Sequence, residues 1–206
     1  MRDALITERG SMTTTVAQLR AALGEQPWLD EAVARVSAEP GAIGRLFPAA
    51  GRKCGREPVA PGWSADEAAR AVLLDALPAD RISGEVADLY RYGDAAEKRA
   101  VLKALPLLPI GGDAVPLLHD AIRTNDTRLV AAALGPYAAH LDPPAWRQAV
   151  LKCVFMGVPL SAVDGLGDRA DAELAGMLAS FAEERRAAGR DVPADALAVL
   201  ESLREG

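Results

Sequence analysis

Residues 99–105 read RAVLKAL, and residues 128–134 read RLVAAAL. A third copy opens at Arg70-Ala71-Val72, so Arg-x-Val returns at positions 70, 99 and 128, 29 residues apart each time. The last two copies also share Ala104-Leu105 and Ala133-Leu134. A period near 30 in helical sequence marks stacked helix pairs of the HEAT or TPR kind, in which one pair cannot bury its apolar face alone. The expected fold is all-α: an α-α superhelix or HEAT-like irregular array of about ten short helices. The helices are too short and too many for a four-helix bundle.

Outward from the repeat, helix starts and stops follow one another closely. Ser64-Ala-Asp-Glu67 is a capping box for a helix through Leu77, and Asp94 caps another to Leu105. Val16, Leu19 and Leu23 share one face of a first helix stopped by Gly24. Pro27 opens a second helix. Gly41–Phe47 reads as a short helix ended by Pro48, followed by a Gly/Pro/Arg-rich loop over Ala49–Gly62, the longest irregular stretch expected. Further helices are expected over Asp113–Arg123, Asp126–His140, Pro143–Gly157, Asp171–Ala188 and from Pro193 to Leu203. No strand longer than a bridge is expected. Gly10-Ser11-Met12 looks like a cloning junction before an initiator Met12. Met1–Ser11 is therefore set aside as a tag, a natural arm being the alternative, and residues 12–206 are taken as one helical domain.

Composition narrows the class. Half of the 206 residues are apolar, a quarter are charged and only 4% are aromatic, so the core must be aliphatic and alanine-rich. That excludes a disulfide scaffold, a disordered chain and a membrane bundle. The 23 basic and 29 acidic side chains leave a net charge of −6, unsuited to general nucleic-acid binding. Cys54 and Cys153 stand far apart, and His119 and His140 are isolated. No metal and no cofactor are expected, and a reduced cytoplasmic chain with no transmembrane segment is.

Few residues suggest chemistry, and none makes a catalytic motif of known mechanics. In AWRQAVLKCVFMG, residues 145–157, the stripe of Trp146, Ala149, Val150, Cys153 and Val154 is apolar, with Leu151 and Phe155 opposite, as in a helix sandwiched between neighbours. Lys152, sharing a face with Gln148, must snorkel, pair with a carboxylate or face a cavity. On the helix over Asp171–Ala188, the stripe of Leu174, Met177, Leu178 and Phe181 continues onto Glu184 and Arg185. These charges read as an internal ion pair, a pocket wall or a solvated end, with Arg190 beyond. Arg45–Arg56 is a basic run holding Arg52 and Lys53, either an anion site or a solvated surface. Asn125 is a candidate helix cap. Tyr137 is a core ring whose hydroxyl needs a partner. The two thiols are expected to be unreactive.

Several of these segments together resemble the EboA domain family. They are Arg123-Thr-Asn125, Gly135-Pro-Tyr137, Ala145-Trp-Arg-Gln148, Leu151-Lys-Cys-Val-Phe155, Gly157-Val-Pro-Leu160, Gly165-Leu with Asp168-Arg169, and Arg185-Arg-Ala-Ala-Gly-Arg190. Phe47-Pro-Ala-Ala-Gly-Arg-Lys53 looks like the family's Ala-Pro-Arg-Lys-type segment. The chain departs from it at Glu183-Glu-Arg-Arg186, where many members read His-Glu-Arg-Trp, and at Gly51, where a proline is usual. A histidine-dependent activity is thereby put in doubt.

The resemblance implies an all-helical protein without an established reaction, encoded beside enzymes that include a UbiA-type membrane prenyltransferase. The expected function is a non-enzymatic binding or scaffold protein in a small-molecule biosynthesis or export pathway. Its expected partners are proteins of the same cluster, that prenyltransferase among them, and an anionic small molecule. The alternative is an enzyme acting on a phosphorylated or prenylated substrate with Lys152, Arg185 and Arg190 as anion clamps. The candidate ligand-binding residues are Lys152, Gln148, Arg185, Arg190, Asn125, Tyr137, Arg52 and Lys53.

Overall fold

The computed structural model describes residues 14–205. Among these, twelve α-helices and four short 3-10 turns follow one another, with one two-stranded hairpin. The expectation about Met1–Ser11 lies outside the described residues.

Local chemistry sets the helix starts. Thr15 and Gln18 form a capping box that opens α1 (Val16–Leu23), and Gly24 stops it at φ +64°. Proline opens α2 (Pro27–Ala38). Asp94 accepts the Glu97 N–H at 2.8 Å to open α6 (Ala95–Ala104). Asp126, Asp142 and Asp171 do the same for α8 (Thr127–Ala133), α9 (Pro143–Met156) and α11 (Ala172–Ala187). Each cap satisfies an N–H that the first turn leaves without a helical partner.

The helices pack in sequence. α4 (Ala65–Asp75) rests on α1, on α3 (Ile43–Lys53) and on α6. α6 rests on α8, α8 on α9, α9 on α11, and α11 on α12 (Ala194–Glu205). α5 (Ala79–Tyr92) and α7 (Val115–Arg123) flank this row, α5 against α6 and α7 against α8. The three copies of the repeat fall on α4, α6 and α8. The 29-residue period is therefore the step from one helix of the row to the next. Val72, Val101 and Val130 are all buried, as are Ala71, Ala100 and Leu129.

Several boundaries differ from those expected. α3 runs through Pro48 to Lys53, so the irregular stretch is shorter than anticipated. Pro48 removes the N–H that the Gly44 carbonyl would take, but Gly44 is exposed and solvent can replace it. Pro58–Ala60 and Trp63–Ser64 pair antiparallel around a turn with Gly62 at φ +76°, a hairpin longer than the expected bridge. The helix expected over Asp126–His140 breaks at Gly135-Pro136, and residues Pro136–His140 form a 3-10 turn. The stripe from Trp146 to Val154 is buried, but Leu151 is only half-buried and Phe155 is 63% exposed, edge-on to Phe181 at 4.7 Å. α9 is thus covered on one face and open at Phe155.

At the head of α4 three charged residues, Asp66, Glu67 and Arg70, are buried. Arg70 Nη1 donates to Asp66 Oδ2 at 2.6 Å, and Nε donates to the Phe47 carbonyl at 3.2 Å. Its guanidinium carbon lies 5.4 Å from the centre of the Phe47 ring. The Ser64 hydroxyl donates to Asp66 Oδ1 at 2.6 Å. Burial works against the Asp66 carboxylate, but the Ser64 hydroxyl and the Arg70 charge outweigh it and hold Asp66 below the usual carboxylate range. The Arg70 side chain, held by Asp66 on its own helix, thus ties α4 to α3 through Phe47.

Breaking such a pair leaves a charge buried without compensation, which costs about 3–5 kcal/mol. Arg70→Met is expected to lose that much in urea unfolding at neutral pH. Asp66 carries its own pH signature. Its folded pKa is depressed, so its contribution is complete above the unfolded value of about 3.9 and disappears as pH falls through the lower folded one. The gap in unfolding free energy between the wild type and Asp66→Asn is expected to stay constant from neutrality to about pH 5 and to narrow below it. A gap that widens in acid would contradict this assignment.

Candidate functional site

α6 and α8 present equivalent faces one repeat apart, and those faces make the floor of a cleft of about 840 Å3. Arg99 of α6 matches Arg128 of α8, Leu102 matches Ala131, and Lys103 matches Ala132. Past the helix ends, Pro106 matches Gly135 and Leu107 matches Pro136. All ten line the cleft. Gly62 and Trp63 of the hairpin wall one side, and the segment after α9, from Gly157 to Asp164, walls the other. The volume lies in the range of small-molecule sites, roughly 300–1,000 Å3.

Three cations line the cleft: Arg99 at the middle of α6, Lys103 in its last turn and Arg128 in the first turn of α8. Glu67 accepts from Arg99 Nη1 at 2.8 Å and pairs with Lys103 as well. Its Oε2 also takes the Ser64 N–H at 3.1 Å, completing the capping box. Lys103 Nζ donates to the Gly62 carbonyl at 2.5 Å and sits 4.4 Å from the centre of the Trp63 ring. Burial lowers the Lys103 pKa, and the Glu67 carboxylate opposes that shift. Arg99 remains 42% exposed on its side chain. Arg128 grips Asp126 with Nε at 3.1 Å and Nη2 at 2.8 Å, and this grip holds the Asp126 pKa down to about 2. Further along the cleft, the Asp164 N–H donates to the Leu134 carbonyl at 2.8 Å, which seats Asp164 at the C-terminal end of α8.

The residues singled out by sequence lie elsewhere. Lys152 Nζ donates to the carbonyls of Ile122 (2.5 Å) and Thr124 (2.7 Å), closing the C-terminal end of α7. Its neighbour Gln148 is exposed. The Tyr137 hydroxyl donates to the Gly111 carbonyl at 2.5 Å and accepts the Ala114 N–H at 3.1 Å, with its ring buried. Asn125 is exposed, and Asp126 rather than Asn125 caps α8. Arg52 and Lys53 are exposed in the last turn of α3. Only Arg185 and Arg190 share a depression, with Phe155, Phe181 and Glu184. Arg185 Nε donates to the Asp191 carbonyl there at 2.9 Å. Burial pushes the Cys153 thiol up to about 12 and raises Cys54 too, so neither is poised as a nucleophile.

Sequence reasoning missed the cleft although it held the signal. In the sequence the repeated Arg marks a period, and the period does not show where the side chain points. Arg99 and Arg128 stand at the same repeat position and face the same space. Leu102, Lys103, Leu107 and Pro136 lie on that face at helical spacing.

The segments behind the family resemblance serve as locks. The Arg169 guanidinium carbon lies 4.6 Å from the centre of the Trp146 ring, and its nitrogens donate to the Ala138 carbonyl at 2.7 Å and the Leu141 carbonyl at 2.9 Å. Arg147 forks onto Asp171 and reaches Glu173 Oε2 at 2.8 Å, joining α9 to the start of α11. Residues 50–201 match the family described as metabolite traffic protein EboA, and the chain belongs to that family. The matched region carries every cleft-lining residue but Thr14. No curated protein and no solved structure matches the chain. Among the described residues no helix is long and apolar enough to cross a membrane.

The geometry of Lys152 fixes what its removal does. A cation on the last carbonyls of a helix contributes roughly 0.3–1 kcal/mol at a surface and up to about 2 kcal/mol when partly buried. Lys152→Met is expected to lose about 1–2 kcal/mol in urea unfolding, less than a buried ion pair would lose. Unchanged stability would contradict the capping role.

Proposed function

We propose that this chain is a non-enzymatic metabolite-binding protein that holds a small pathway intermediate in the cleft on α6 and α8 and passes it on. The observation that carries this reading is the cleft itself, a floor of Leu102, Leu107, Ala131, Ala132 and Pro136 with three cations among its lining residues. An apolar floor with a few placed polar groups is the usual make-up of a small-molecule site. The family description as a metabolite traffic protein supports the same reading. The cleft's ionisable side chains are Arg99, Lys103, Arg128 and Asp164, and the three cations each have a carboxylate partner. Cations held in place by carboxylates suit retention of a bound molecule. The expected recipients are proteins of the same pathway, a membrane prenyltransferase among them, with the protein working in the cytoplasm.

The test is to plug the cleft. Ala131 is half-buried at the floor, and Ala131→Trp places an indole where the intermediate would lie. Native mass spectrometry of protein purified from a cell running the pathway is expected to show a bound small molecule in the wild type and none in Ala131→Trp. Circular dichroism melting checks that the variant is folded. A folded, plugged variant that restores full pathway output to a deletion strain would overturn the reading.

A further inference from the structure

The charges around the cleft say which kind of molecule fits and which way round it lies. Arg99 at the middle of α6 and Lys103 in its last turn pair with Glu67, and Arg128 at the start of α8 pairs with Asp126, so three cations face two carboxylates. One positive charge is left over. Lys103 is largely committed, to Glu67, to the Gly62 carbonyl and to the Trp63 ring. Arg99 gives only Nη1 to its carboxylate and is 42% exposed. Arg128 gives Nε and Nη2 to Asp126 and is 66% exposed, leaving Nη1. The two guanidinium groups stand at equivalent repeat positions on neighbouring helices. From there the floor runs past Leu102 and Ala131 to Leu107 and Pro136, with Val158, Pro159 and Ala162 as the wall. At that far end lies the exposed carboxylate of Asp164, which has no ion-pair partner among the described residues.

Building on the proposed metabolite-holding role, we infer that the cleft takes a singly charged amphiphilic anion, its head between Arg99 and Arg128 and its apolar body along Leu102, Ala131 and Leu107. An Arg pair suits a planar carboxylate through parallel N–H donors. A single surplus charge is neutralised by one anionic group. A second anionic group at the other end of the ligand would meet Asp164, and like charges brought close repel. The cleft therefore selects a monoanion against an α,ω-dianion of the same length.

Titration calorimetry with three probes of one chain length tests this: dodecanoate, dodecanol and dodecanedioate. Dodecanoate is expected to bind the wild type at least about tenfold more tightly than either of the others, a difference of about 1.4 kcal/mol. Arg99→Gln should cut dodecanoate affinity by about tenfold and leave dodecanol unchanged, since the apolar floor is intact. Asp164→Asn should raise dodecanedioate affinity alone. If Arg99→Gln fails to fold, Arg128→Gln carries the same readout, because its pair with Asp126 is exposed. Equal binding of dodecanoate and dodecanol by the wild type would overturn the inference and leave the metabolite-holding reading in place. Wild-type protein that binds none of the three would overturn that reading, and this inference with it.

Discussion

Everything in the row of helices is referred to the first turn of α4. A carboxylate is favoured at a helix N-terminus but costs dearly when buried, and this turn buries two. Asp66 is answered from its own helix by Arg70, and Glu67 from the next helix by Arg99 and Lys103. The first pair is held against Phe47 of α3 and the second against the hairpin. Four elements are thereby fixed to one point. The need is real in a chain with 4% aromatics, whose core is largely alanine and leucine. Small apolar side chains let helices approach closely but say little about register. Directional ion pairs and hydrogen bonds supply it, at the risk of leaving charges uncompensated if any partner is lost.

The same economy explains how the site comes about. Glu67 draws Arg99 and Lys103 to one edge of the cleft in order to be satisfied itself. The hairpin closes that edge because Lys103 reaches the Gly62 carbonyl and lies over Trp63. A structural debt at the head of α4 thus places cations beside an apolar floor. Away from the cleft, Arg147 ties α9 to α11, Arg169 ties the segment after α9 to the 3-10 turn before it, and Tyr137 ties that turn to the loop ahead of α7.

Much of the fold was legible because helix signals are local. Capping boxes at Ser64 and Asp94, proline at Pro27 and Pro143, and glycine at Gly24 and Gly157 act within a turn of the residues they organise. The errors came where a local rule met a tertiary one. Pro48 would end an isolated helix, but its position beside an exposed carbonyl lets α3 continue. The hairpin at Pro58–Ser64 is only a few residues long, too short for alternation to show, and it exists because it is pinned to α4 and α6. The site was less legible for a different reason. Lys152 looked conspicuous on an apolar helix, yet its partners are backbone carbonyls of Ile122 and Thr124, which carry no mark in a sequence. Arg99 and Arg128 looked ordinary because an arginine beside a polar residue on a helix is commonplace. Their coincidence in space depends on the step between helices, which the period announces without showing which side chains it brings together.

That step makes the cleft a kind of ruler. Along the helices, its capacity is set by the length of α6, ten residues or about 15 Å at 1.5 Å per residue. Across them, it is set by how many equivalent helices stand in the row, each adding about 8–10 Å. The two dimensions are independent. Lengthening one helix pair would admit a longer molecule, whereas inserting another pair of about 29 residues would admit a broader one and bring a further arginine to its edge. A helical row of this design can thus change the shape of its cleft by counting repeats, without rebuilding any one of them.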